Sequence, residues 1–217
     1  MAGDYTRQIP RRGFALAMAA TILMMAAASA PSLFYPQIAE QLGLVPVATT
    51  LVFAVYTFTL LAALLYLGPL SDHIGRRPVV TAGSLALALS LAMFWFADSL
   101  ATLLVARALQ GLAAGLLIPA LSAMMIDFEP PSHPNIAALW NTIGPMIGLG
   151  TGALGAALLL DLTPEPTAAV FGPLVLAFLT VAATVWSTPE LVPKTRIRRG
   201  DLRPRFMVPL HLRRMFT

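Results

Sequence analysis

Residues 68–78 read GPLSDHIGRRP, set between LVFAVYTFTLLAALLYL (51–67) and VVTAGSLALALSLAMFWF (79–96). The short stretch holds Asp72, His73, Arg76, Arg77, two prolines and two glycines, while neither flank carries a charge. In a soluble protein this is a surface turn. Here each flank approaches the ~20 apolar residues that a helix needs to cross a bilayer, so the turn sits where two spans leave the membrane.

Composition extends this to the whole chain. The 217 residues are 58% hydrophobic and 11% charged, against roughly 25% charged in an ordinary soluble domain. Six runs are long enough to span: Phe14–Phe34, Val47–Leu67, Val79–Ala97, Leu100–Ile126, Ile136–Leu160 and Ala168–Trp186. The breaks between them are short and polar or proline-rich: PQIAEQLGLVP, the quoted stretch, DS, DFEPPSHPN and DLTPEPT. Short breaks make each span antiparallel to the one before it. The expected fold class is an all-α membrane protein of six transmembrane helices.

Lysine and arginine orient the bundle, because cytoplasmic loops near span ends are enriched in them. Arg7, Arg11 and Arg12 precede the first span, Arg76 and Arg77 lie in the quoted loop, and eight more run from Lys194 to Arg214. The opposite loops carry only Glu40, Asp98, Asp161 and Glu165. Both termini are therefore expected in the cytoplasm, and 68–78 is a cytoplasmic loop. The net charge of +4 needs no nucleic acid as partner, since these residues are topological and favour an anionic inner leaflet. Cysteine is absent, which excludes disulfides and thiolate metal sites. His73, His133 and His211 lie outside the spans, so no metal site and no cofactor is expected. The segment RRGFALAMAATILMMAAASA (11–30) has the Arg pair and Ala28-Ser29-Ala30 ending of a secretory signal. Its apolar run is long enough to span, however, and its removal would invert the charge logic of the amino end.

The loop resembles the signature of the major facilitator superfamily, G-x-L-(small)-D-x-x-G-R-(R/K), with Gly68, Leu70, Asp72, Gly75, Arg76 and Arg77 in the matching places. A plain positive-inside turn accounts for the arginines and glycines but not for Asp72. The resemblance implies that Asp72 belongs to a cytoplasmic gate, pairing with an arginine or a helix N-terminus of a facing half. In the fourth span, LLVARALQGLAAG (103–115) resembles the family's Arg, Gln, Gly pattern. Arg107, Gln110 and Gly111 stand at i, i+3 and i+4 on one helix face. Arg107 is the one ionisable side chain well inside a span, at a cost of about 2.5–3.5 kcal/mol on insertion scales. One reading lets it snorkel to the outer interface; the resemblance has it face an aqueous cavity and serve proton coupling.

In the fifth span, NTIGPMIGLGTGALGA (141–156) approaches the glycine-rich segment of family antiporters, but Gly152-Ala153 lacks the proline. Gly144, Gly148 and Gly152 at fourfold spacing read equally well as a packing stripe. STPELVPK after the sixth span resembles the family's Pro-Glu element, and the basic segment beyond it looks like a central loop leading to a seventh helix. The organisation expected is a cytoplasmic tail over 1–13, a six-helix unit over 14–187 built as a 3+3 inverted repeat, and a basic cytoplasmic segment over 188–217.

The resemblance implies secondary transport of a small molecule across the cytoplasmic (inner) membrane, of the drug- or metabolite-efflux type, with a proton gradient as the driving force. Ser29, Ser32, Tyr35, Tyr56, Asn141 and Thr142, with Gln110, are the candidate lining of the substrate cavity. Met24 and Met25 suit a promiscuous apolar wall, or simply pack. An enzyme such as an intramembrane protease is not expected, because no histidine lies in a span to act as base. Two alternatives stand beside export: import of a sugar or an organic acid, and a truncated, non-transporting fragment. The partners expected are the lipid bilayer, the transported molecule, and either a missing carboxy-terminal half or a homodimer partner.

Overall fold

The computed structural model describes residues 2–191. The helices are α1 (Ala2–Ser29), α2 (Tyr35–Gln41), α3 (Pro46–Leu67), α4 (Leu70–Ile74), α5 (Arg76–Trp95), α6 (Leu100–Asp127), α7 (Ile136–Leu162) and α8 (Pro166–Thr184), with 3-10 turns at Ala30–Leu33 and Val185–Ser187. Among the described residues there is no strand. Six stretches are long and apolar enough to cross a membrane: Arg11–Leu33, Val47–Leu67, Arg76–Trp95, Leu100–Asp127, Ile136–Leu162 and Pro166–Ser187. They coincide with the six expected spans to within a few residues. The basic segment after residue 191 lies outside the described residues.

Local chemistry explains the element ends. Pro31 and Pro36 each lack an N–H, so α1 tightens into a 3-10 turn at Ala30–Leu33 and the chain restarts as α2. The break expected over 36–46 thus holds a helix, as does the quoted loop, where α4 runs from Leu70 to Ile74. Gly75 has φ +100° and turns the chain from α4 into α5, a region closed to residues with a Cβ. α6 opens on a capped turn in which the Thr102 N–H donates to Ser99 Oγ at 3.2 Å. The Thr102 hydroxyl donates to Asp98 at 3.0 Å and holds that exposed carboxyl below the usual carboxylate range. α1 continues to Ala2, so the tail expected over 1–13 is a helical extension of the first span from its second residue.

α6 is the hub, packing on α3, α5 and α1, while α1 also packs on α7 and α5 on α8. The result is a row α3–α6–α1–α7 backed by α5 and α8. Exchanging the first three spans for the last three maps the α1–α7 pair onto α6–α3 and leaves the α1–α6 and α5–α8 pairs in place, the relation an inverted repeat requires. Small residues allow the closest approaches. A Cβ at Gly111 would stand 2.5 Å from the Tyr56 carbonyl oxygen of α3, and one at Gly83 would stand 2.7 Å from Leu117 Cγ of α6. The Ser90 hydroxyl donates to the Ala106 carbonyl at 2.7 Å, a hydrogen bond from α5 to α6. Phe34, Phe94 and Phe171 fill one end of the core, with Phe94 stacked on Phe171 at 6.0 Å and Phe34 at 5.2 Å from Phe171.

Candidate functional site

Arg107 lies about two turns into α6 and is 2% exposed. Its guanidinium is enclosed by protein side chains within this unit. Its Nε donates to the Tyr35 hydroxyl and its Nη1 to Gln110 Oε1. Gln110 Nε2 donates onward to the Ala27 carbonyl at 2.8 Å. Four rings surround the guanidinium carbon: Tyr35 at 5.0 Å, Phe94 at 5.2 Å, Tyr56 at 5.5 Å and Phe53 at 5.6 Å. A buried ion without compensation costs several kcal/mol. Hydrogen bonds to charged groups, about 1.5–3 kcal/mol each, and cation–π contacts, about 0.5–2 kcal/mol each, make the burial tolerable. Nη2 has no partner among the described residues.

The three residues grouped on one face of α6 thus do separate jobs. Arg107 and Gln110 reach across to the first span and its extension, whereas Gly111 closes against Tyr56 and Thr59 of α3. Arg107 and Gln110, expected to face an aqueous cavity, are 2% and 1% exposed within this six-helix unit, with Tyr35, Phe53, Tyr56 and Phe94 around the guanidinium.

The second cluster forms at the other end of the bundle, around the loop 68–78 between the second and third spans. Arg76 pairs with Asp72 four residues back, and its Nε donates to Asp127 at the end of α6 at 3.1 Å. Its Nη1 also donates to the Ser71 hydroxyl at 2.8 Å. The carboxylate of Glu190 accepts the backbone N–H groups of Arg76 and Arg77, both at 3.0 Å. An anion therefore sits where the first N–H groups of α5 lack helical partners. Asp72 pairs inside its own loop, although its side chain keeps 61% exposure. The loop between the second and third spans, the end of the fourth and the segment after the sixth are joined in one charged network. Gly68 and Leu70 carry none of its polar contacts and set the backbone path from α3 into α4.

Sequence reasoning did not assign Asp127 or Glu190 to this network. Asp127 carried one signal, that of an acid at the end of a span. Glu190 was visible only as part of STPE. Both partners lie far from the loop in sequence, and only packing brings them there.

The remaining candidates do not share one cavity. Ser32 and Tyr35 line a hollow of about 590 Å³ between α2 and α3, with Thr49, Thr50 and Phe53 on its other wall. The Ser29 hydroxyl instead donates to the Ala26 carbonyl at 3.1 Å and packs where α1 meets Gly152. Asn141 and Thr142 stand near the start of α7, where the exposed Thr142 donates to the Ala138 carbonyl at 3.0 Å. α1 and α7 run parallel, with Thr21 and Ile22 beside Gly144 and Ala26 beside Gly152. At 1.5 Å per residue, about 25 Å of helix axis separates Tyr35 from Asn141, which is why one cavity does not hold both. Gly144, Gly148 and Gly152 make the packing stripe on α1: a Cβ at Gly148 would stand 2.6 Å from Met25 Cβ. Met24 is buried in the core.

Known proteins are similar to this chain in sequence. The chain is 32% identical over 219 residues to the multidrug efflux pump LfrA of Mycolicibacterium smegmatis, an alignment covering 84% of this chain and 42% of that protein. It is 30% identical over 145 residues to the multidrug resistance protein MdtL of a Shewanella species, covering 64% of this chain and 36% of that one. It is 29% identical over 152 residues to the puromycin resistance protein pur8 of Streptomyces alboniger, covering 67% and 30%. The chain spans less than half the length of these curated relatives. The family described as the Major Facilitator Superfamily matches residues 17–216. With most of the first span, all of the other five, the Asp72–Arg76 loop and the arginine on the fourth span falling inside that match, the chain is a multi-pass membrane protein that belongs to the Major Facilitator Superfamily.

Proposed function

We propose that this chain forms one six-helix wall of a secondary transporter that moves small molecules out across the cytoplasmic membrane, using a proton gradient, with both termini in the cytoplasm. The observation that carries this is the unequal burial of the spans. Of the most apolar part of α6, 61% is buried, against 11% in α3 and 17% in α7. α3 and α7 end the row, so each turns most of its surface away from its own six-helix unit. Thr57 and Thr142 lie exposed there, their hydroxyls returned to their own helix at Phe53 and Ala138. A second six-helix unit, supplied by a carboxy-terminal half or by another copy, would cover those faces and complete a cavity between the two units. The relatives whose names speak of multidrug efflux or drug resistance support export over import.

The test is dye extrusion from energised cells. Cells expressing this chain together with the carboxy-terminal half of LfrA should hold less of a lipophilic fluorescent dye than cells expressing either alone, and a protonophore should abolish the difference. Equal dye levels in all three, with every chain in the membrane, would reject the reading. Extrusion by this chain in a form that cross-linking shows to be monomeric would reject the two-unit part.

A further inference from the structure

We infer that Arg107 is the receptor for the carboxylate of a small aromatic acid that enters from the hollow between α2 and α3. This rests on the transporter reading and names its substrate class as anionic.

The guanidinium is a fixed positive charge, 2% exposed, and it lacks an ion-pair partner among the described residues. Every acid within the six spans stands at a span end, Asp127 and Asp161. Nη1 is spoken for by Gln110, which is itself held by the Ala27 carbonyl. Nε and Nη2 form the opposite edge of the planar fork, the edge that takes a carboxylate by two parallel hydrogen bonds. On that edge the Tyr35 hydroxyl occupies Nε, and Nη2 is buried without an acceptor. The edge is half filled by a neutral oxygen, and a carboxylate would fill it and supply the missing charge.

A hollow adjoins it, with two aromatic rings between. Tyr35 and Phe53 line the hollow of about 590 Å³, and both rings also stand within 5.6 Å of the guanidinium carbon. The volume lies in the range of small-molecule sites. Its wall combines an aromatic face from Phe53 with the hydroxyl-bearing side chains of Ser32, Thr49 and Thr50. An aromatic acid fits this division, with its ring against Phe53 and its carboxylate displacing the Tyr35 hydroxyl from Nε. A lipophilic cation fits poorly, because it would approach a buried like charge with no carboxylate nearby to offset the repulsion.

Equilibrium dialysis of the purified 217-residue chain in lipid nanodiscs tests this with three probes of one shape: 2-naphthoate, neutral 2-naphthamide and cationic 2-naphthylmethylammonium. Naphthoate should bind at least tenfold tighter than either of the others. Arg107→Gln should remove that preference while leaving naphthamide binding within twofold. Tyr35→Phe, which keeps the ring and frees Nε, should tighten naphthoate severalfold, and this variant decides the matter if Arg107→Gln does not fold. Equal binding of all three probes, no binding of naphthoate, or naphthoate binding unchanged in both variants would overturn the assignment. Preference for the cation would overturn it too, yet leave the transporter reading to the dye-extrusion test, which does not depend on the sign of the charge.

Discussion

The carboxylate of Glu190 accepts the backbone N–H of Arg76 at 3.0 Å, joining the segment beyond the last span to the first turn of α5 across more than a hundred residues of chain. The same carboxylate takes the Arg77 N–H. Glu190→Ala leaves two helix N–H groups without that acceptor and removes the charge at the helix N-terminus, a loss of about 1 kcal/mol. Glu190→Gln keeps one carbonyl acceptor and should cost less. Thermal melts of the purified protein in detergent should rank the midpoints wild type above Gln above Ala; equal midpoints for Gln and Ala would show that the capping is not what stabilises the loop.

Arg76 has two carboxylate partners of unequal burial. Asp127 is 27% exposed in its side chain and Asp72 is 61% exposed. Exposed pairs contribute about 0–1 kcal/mol and are screened by salt. Asp127→Asn should therefore lower the melting temperature more than Asp72→Asn, and its effect should fall less when salt is raised. The reverse order would contradict the geometry. If Asp72 serves as a gate rather than as a brace, Asp72→Asn should slow dye extrusion by the assembled transporter with little change in substrate affinity.

Gly111 and Gly150 test the packing of the row. A Cβ at Gly111 would collide with Thr59 Oγ1 and stand 2.5 Å from the Tyr56 carbonyl oxygen, whereas nothing lies within 4 Å of one at Gly150. Gly111→Ala should destabilise by about 1–3 kcal/mol, the cost of overpacking. Gly150→Ala should leave stability unchanged or raise it, since alanine favours helix by about 1 kcal/mol over glycine. A melt of each variant checks both, and a neutral Gly111→Ala would mean that α3 and α6 are farther apart than described.

The orientation can be read with single cysteines, because the chain has none of its own. Cysteine at Asp98 or Asp161, both exposed, should react with an impermeant thiol reagent in intact cells. Cysteine at position 201, which lies outside the described residues, should react only after the cells are opened. Labelling of position 201 in intact cells would reject the cytoplasmic placement of the carboxy-terminal segment.

What the sequence determined by itself was whatever the solvent decides locally. Twenty apolar residues in a row cross a bilayer whatever they pack against, because an unpaired backbone group in lipid costs too much for any form but a helix. So the six spans, their alternating sense and the loop GPLSDHIGRRP at the junction of α3 and α5 were legible from composition and spacing. The tertiary structure decided the partners. Whether Arg107 met water or protein depended on Tyr35, 72 positions away, and whether Asp72 had an arginine of its own depended on the turn at Gly75 and the arrival of α6 and Glu190. Apolar helices carry little sideways information: lipid and protein interior are equally greasy, so hydrophobic patterning does not say which face meets a neighbour. Close packing at Gly111, Gly148 and Gly152, together with the polar contacts of Arg107 and Gln110, makes that choice in three dimensions.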